Sequence, residues 1–150
     1  KAGIYGMIGG QNADIEAEEQ AEPLTTEQIL FIHANKTAAL IQSAMTIGAT
    51  LAGATDEEIA ALELCAYNVG IAFQIQDDIL DVTSTLEVLG KPIHSDDKNN
   101  KTTYVTLEGL DKAKKDVEEI SERALSTLAS LEHKNAFLEE LIRMLITREK

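Results

Sequence analysis

The sequence predicts an all-α fold, and three observations predict it. Ala, Leu, Glu and Ile abound in a chain with two prolines, no tryptophan and only three each of Tyr and Phe, a composition that favours helices over a twisted sheet. Apolar residues recur at three- and four-residue steps over long stretches, the period of a helix face. Thr25 with Gln28, and Thr55 with Glu58, have capping-box spacing, in which each side chain satisfies a backbone amide at the other residue. At 150 residues and 44% hydrophobic, the chain is long enough for one compact domain or part of one.

Five helices can be placed. The first is expected from near Ala2 to about Glu19; Gly6, Gly9 and Gly10 weaken its propensity, so a tight helix contact is expected there. A polar link, Gln20 to Leu24 with Pro23, separates it from a second helix that opens at Thr25 and continues through Ile29, Ile32, Leu40, Ile41 and Ile47 to near Gly53. The third opens at Thr55 and runs to about Thr83. Between Leu62 and Phe73 it is apolar on most sides, which places it in the centre of a bundle. Ser84 to Thr103 reads as a long loop holding Gly90-Lys91-Pro92 and the polar run Asp96 to Lys101; loops of that length are often functional. Two outer, amphipathic helices follow, Tyr104 to Leu131 and Asn135 to Arg148. The opening Lys1-Ala-Gly-Ile-Tyr-Gly reads as the middle of a helix without a cap, so residues 1–150 are expected to be a portion of a longer domain.

Charge narrows the function. A formal net charge of −13 argues against nucleic acid or an anionic membrane, both of which demand a basic surface. No Lys or Arg lies between Lys1 and Lys36, and no apolar run approaches the length of a membrane span. Cys65 is the single cysteine, which rules out an intrachain disulfide and a thiolate zinc site and fits a reducing, cytoplasmic setting.

The chemistry concentrates at the end of the third helix. Asp77, Asp78 and Asp81 are the only residues charged at neutral pH between Leu64 and Val82, and no basic residue stands near them in sequence. Asp77 and Asp81 lie one turn apart on one face, where like charges repel. Asp78 lies about 100° around the axis. A multivalent cation relieves that repulsion, and hard oxygen donors select Mg²⁺, Ca²⁺ or Mn²⁺ over zinc. Magnesium held by a few carboxylates keeps coordination positions for phosphate oxygens, so the implied ligand is a phosphate ester. Lysines would neutralise it; Lys36 is the one lysine or arginine of the second helix, and Lys91 and Lys101 lie on the long loop.

Gly10-Gln11-Asn12-Ala13-Asp14, Lys36-Thr37, Phe73-Gln74-Ile75-Gln76-Asp77-Asp78-Ile79-Leu80-Asp81, Gly90-Lys91-Pro92 and Asp96 to Tyr104 resemble, in order and spacing, successive motifs of the isoprenyl diphosphate synthases of the polyprenyl synthetase family. The likeness covers essentially the whole chain and is greatest to the bacterial farnesyl diphosphate synthases, or geranyltranstransferases. It implies an isoprenoid synthase fold, of which this chain is the C-terminal portion, and two aspartate-rich helices facing each other across a cavity. It also implies a Mg²⁺-dependent condensation of an allylic diphosphate with isopentenyl diphosphate, Mn²⁺ being a substitute, in a protein that is usually a homodimer. By the resemblance Asp77, Asp78 and Asp81 are metal ligands and Lys36, Lys91 and Lys101 bind diphosphate. Thr37 and Gln74 support the allylic end and with Lys36 are the catalytic residues it implies, Gln11 and Asp14 order the region, and Arg148 and Lys150 match a basic tail near the entrance. His94 and Val105 depart from the family's usual glycine and proline. The first aspartate-rich motif and the isopentenyl diphosphate arginines, upstream in the family, are not in this sequence.

Two other readings stand beside this one: a geranylgeranyl or longer-chain synthase, and a non-catalytic bundle stabilised by a metal. A di-iron carboxylate protein is excluded, because Leu30, Lys91 and Ser130 stand three residues before His33, His94 and His133, so no Glu-x-x-His exists.

Overall fold

A computed structural model describes residues 1–20, 22–83 and 102–148. Every regular element among them is helical: α1 (Met7–Glu18), α2 (Thr26–His33), a π-turn (Ala34–Ala38), α3 (Ala39–Leu51), α4 (Asp56–Thr83), α5 (Tyr104–Glu108), α6 (Leu110–Ser130) and α7 (Ala136–Ile146). The all-α expectation therefore holds. Most of the loop expected from Ser84 to Thr103, with Lys91 and Lys101, lies outside the described residues, as does Lys150.

The two capping boxes form as the spacing predicts. Thr25 accepts from the Gln28 amide while the Gln28 side chain accepts from the Thr25 amide at 2.8 Å, and Thr55 and Glu58 repeat the exchange at 3.2 and 2.9 Å. A third box was not foreseen: Thr103 and Thr106 cap α5 in the same way.

Three boundaries differ from expectation. The first helix begins at Met7 rather than near Ala2, after a turn in which the Gly6 amide donates to Gly3 O at 2.9 Å. A methyl on Gly6 or Gly9 would collide with the chain's own start, at Lys1 and Ile4, so of these glycines only Gly10 makes the expected helix contact. The second helix is not uniform, because the π-turn interrupts it between α2 and α3. The helix expected from Tyr104 to Leu131 is broken at Gly109, whose φ of 84° is a left-handed conformation open to glycine and incompatible with helix continuation.

α4 is the axis of the bundle. α3 and α6 each pack along it, and α2, the π-turn, α5 and α7 also touch it. Cys65, Ala66, Val69, Ile71, Ala72, Ile75 and Ile79 of α4 are buried, and Val117, Ala124 and Leu128 of α6 with Ile142 and Ile146 of α7 complete that side of the core. By length and composition α4 could cross a bilayer, a correction to the expectation that no stretch would pass that test. Its buried residues lie between Cys65 and Asp81, against the rest of the bundle. Leu40, Ile47 and Leu51 stay exposed along one face of α3, and Leu64 is exposed on α4.

Candidate active site

The last turns of α4 carry three aspartates in three environments. The Asp77 side chain is 43% exposed, and its Oδ1 lies 3.0 Å from a terminal nitrogen of Arg148. The Arg148 guanidinium also stacks 3.8 Å over the Phe73 ring, one turn earlier, and the Gln76 amide donates to Arg148 O at 3.4 Å. The segment after α7 thus lies across this end of α4.

Asp78 turns elsewhere. Its Oδ2 accepts from the Tyr104 amide at 2.8 Å and sits 4.0 Å from His33 Nε2. Tyr104 is the first residue of α5, where an amide has no partner within its own helix and an anion is favoured. Asp81, one turn beyond Asp77, is only 6% exposed. Helix geometry separates these carboxylates, and among the described residues no group of three or more His, Cys, Asp or Glu side chains is arranged to hold a metal ion. An ion seated at this end of α4 would draw on Asp77 and Asp81, which share a face, and on Asp78 beside them. Two hard carboxylate donors one turn apart fit magnesium, whose other coordination positions water and phosphate oxygens fill.

Lys36 and Thr37 lie in the π-turn, both half-buried. The Ala39 amide there reaches back five residues to Ala34 O, the bonding that defines such a turn. The Lys36 ammonium donates to Asp14 Oδ2 of α1 at 2.5 Å, and Asp14 is buried. Gln11, one turn before Asp14 on α1, and Gln74, one turn before Asp78 on α4, are each half-buried. The structure thus brings together Asp14 with Lys36, and it ties α2 to α4 where His33 approaches Asp78. Lys91 and Lys101 cannot be placed, because they lie outside the described residues.

Sequence reasoning missed two partners of these aspartates. His33 entered only as a failed iron ligand, although it stands one turn before Lys36-Thr37 and is 7% exposed. The Tyr104 amide carries no sequence signal, being backbone. Tyr104 is pinned at its other end too: its hydroxyl donates to Asp116 Oδ2 at 2.7 Å, and Lys112 Nζ reaches the same oxygen at 2.7 Å. Burial, with the Asp116 carboxylate beside it, raises the pKa of the Tyr104 hydroxyl.

Known proteins resemble the chain along most of its length. The chain is 38% identical over 148 residues to the farnesyl diphosphate synthase of Bacillus subtilis, covering 99% of this chain and 49% of that protein. It is 41% identical over 134 residues to the chloroplastic geranylgeranyl pyrophosphate synthase of Capsicum annuum, covering 89% and 36%. The chain therefore spans half or less of the length of these relatives. Among solved structures, a Helicobacter pylori geranyltransferase complexed with magnesium and isoprenyl diphosphate superimposes with a TM-score of 0.77 at 36% identity, over 96% of this chain and 46% of that one. The polyprenyl synthetase profile matches residues 2–141. Since that match takes in α1, the π-turn and all three aspartates of α4, the chain belongs to the polyprenyl synthetase family.

Proposed function

We infer that this chain is the C-terminal portion of a trans-prenyltransferase that joins an allylic diphosphate to isopentenyl diphosphate and releases pyrophosphate. The observation that carries the reading is Asp77: a half-exposed carboxylate at the end of the most buried helix of the bundle, one turn from a second carboxylate and with a guanidinium as its neighbour. That is an anionic edge suited to a cation and, through it, to a diphosphate.

In the reaction the allylic C–O bond breaks, pyrophosphate carries away the electron pair, the isopentenyl double bond forms the new C–C bond, and a proton is lost to restore the alkene. Magnesium, when bound, supplies Lewis-acid assistance to the departing pyrophosphate. Asp77, Asp78 and Asp81 would hold that charge at the end of α4, Asp78 also fixing the start of α5. Lys36, Lys91 and Lys101 bind diphosphate oxygens, and Thr37 and Gln74 position the allylic end, so that binding replaces a chance encounter. Gln11 and Asp14 support Lys36. The apolar middle of α4 keeps water from a carbocation.

The product we propose is farnesyl diphosphate. A geranylgeranyl or longer product is the second reading, favoured by the similar identity to a geranylgeranyl pyrophosphate synthase. We further propose that the intact protein acts in the cytoplasm, as the buried, unpaired Cys65 suits a reducing compartment, and that it is a homodimer, supported by the exposed apolar residues of α3.

The test is an assay of the intact protein with geranyl diphosphate, isopentenyl diphosphate and magnesium, with products sized by mass spectrometry. Formation of farnesyl diphosphate, reduced at least a hundredfold in Asp77→Ala, is expected. A C20 product selects the second reading. Magnesium binding that ignores added pyrophosphate, with no product, would instead identify a metal-stabilised bundle.

A further inference from the structure

Two helices approach the π-turn through glycines. A methyl group on Gly10 of α1 would lie 2.6 Å from the Asn35 carbonyl carbon, 2.7 Å from Asn35 Cβ, and closer still to the Lys36 nitrogen. A methyl on Gly70 of α4 would collide with Ala38 Cα and Cβ and lie 3.1 Å from Ala38 N. Such approach is not general to the helical glycines, since Gly48 of α3 has nothing within 4 Å of that position.

We propose that Gly10 and Gly70 are positioning residues: by admitting α1 and α4 against the backbone of the π-turn, they hold the register in which Lys36 and Thr37 are presented. The inference rests on the reading that Lys36 and Thr37 serve the diphosphate and the allylic end of the substrate. A π-turn has wider hydrogen-bonded rings than an α-helix and is uncommon outside single turns at functional sites. Left alone, Ala34–Ala38 would gain by slipping into α-helical bonding, which shifts each side chain around the axis by up to about 100° per residue of slip. Gly10 holds the turn at Asn35 and Lys36, and Gly70 holds it at Ala38. Asp14, one turn after Gly10 on the same face of α1, takes the Lys36 ammonium at 2.5 Å. α1 therefore fixes Lys36 at its backbone and at its charged end.

Amide hydrogen exchange on the intact wild-type protein tests this first. Amides of residues 34–38 are expected to exchange as slowly without ligand as with magnesium and pyrophosphate, because packing alone sets the register. Gly10→Ala and Gly70→Ala should each speed exchange at 34–38 while leaving α6 unchanged. In the prenyl-transfer assay both should lower kcat/KM for the allylic diphosphate at least tenfold, with KM for isopentenyl diphosphate within twofold and Gly48→Ala matching wild type. Adding Ala38→Gly should recover part of the loss in Gly70→Ala, where a side-chain atom is among those struck. It should recover nothing in Gly10→Ala, where the atoms struck belong to Asn35 and Lys36. Fast wild-type exchange at 34–38 without ligand overturns the proposal, as do folded glycine variants with wild-type kinetics. Should a single variant fail to fold, the wild-type exchange decides. Absence of prenyl transfer by the wild type would defeat the functional reading while the exchange data still judge the glycines.

Discussion

The backbone amide of Tyr104 donates to Asp78 across 26 positions of sequence, at 2.8 Å, and so fastens the start of α5 to the end of α4. Asp78→Ala leaves that amide without its acceptor in a residue only 5% exposed. A lost partner of this kind costs about 1–3 kcal/mol. Asp78→Asn keeps a carbonyl oxygen and should cost less than half as much. Urea unfolding monitored by circular dichroism distinguishes them, and an Asp78→Ala protein as stable as wild type would show that the contact contributes nothing.

Arg148 occupies the carboxylate of Asp77 that a divalent cation would use. A half-exposed pair of this kind contributes up to ~1 kcal/mol, so Arg148→Ala should tighten magnesium binding by about twofold to fivefold. Titration calorimetry with magnesium, with and without pyrophosphate, is the measurement. Unchanged affinity would mean that the pair does not compete. Asp77→Ala should weaken binding in both conditions.

Acid should loosen the joint between α2, α5 and α6. The Thr26 hydroxyl, donating at 2.6 Å, and then Lys112 hold the Glu108 carboxyl below its ordinary pKa of 4.5. The Thr55 amide, and then His133, do the same for Glu58. A carboxyl whose folded pKa is depressed binds its proton more readily in the unfolded chain. Its contribution is complete above the unfolded value and disappears as pH falls through the folded one. Melting temperature should therefore drop below about pH 4.5, and Thr26→Ala should flatten that acid limb. An identical limb in Thr26→Ala would remove Glu108 from the account.

Burial pushes the Cys65 thiol up to about 11, and its side chain lies fully inside α4's packing. Since the thiolate is the reactive form, the native protein should resist iodoacetamide at pH 8 over hours and react within minutes in urea. Rapid native labelling would mean that the centre of α4 opens readily.

Local signals in the sequence located most of the helices, because a capping box is written within four residues: Thr25 with Gln28 and Thr55 with Glu58 both form. Gly109 escaped, since a glycine within an apolar period reads as a weak helix position, and only its left-handed backbone reveals the break. The π-turn escaped for a different reason. Residues 34–38 have no composition that distinguishes i→i+5 bonding from i→i+4; packing against Gly10 and Gly70 selects it. The aspartates were legible as an unusual charge cluster on an apolar helix, yet their division was not. What separates Asp77 from Asp78 is a guanidinium from the far end of the chain and a backbone amide, and neither is visible from the cluster itself.

The π-turn can also be regarded as one surplus residue in an otherwise regular rod. A helix that absorbs an extra residue within a single turn resumes its former phase afterwards. Ile29 and Ile32 before the turn and Ala39, Gln42 and Ala49 after it are buried, each group on its own face. The surplus frees Lys36 and Thr37 from the rhythm that a core-facing stripe imposes. Removing one residue from 34–38 would spare the packing and delete the irregularity, so in this protein a deletion ought to be gentler on the fold than on the function.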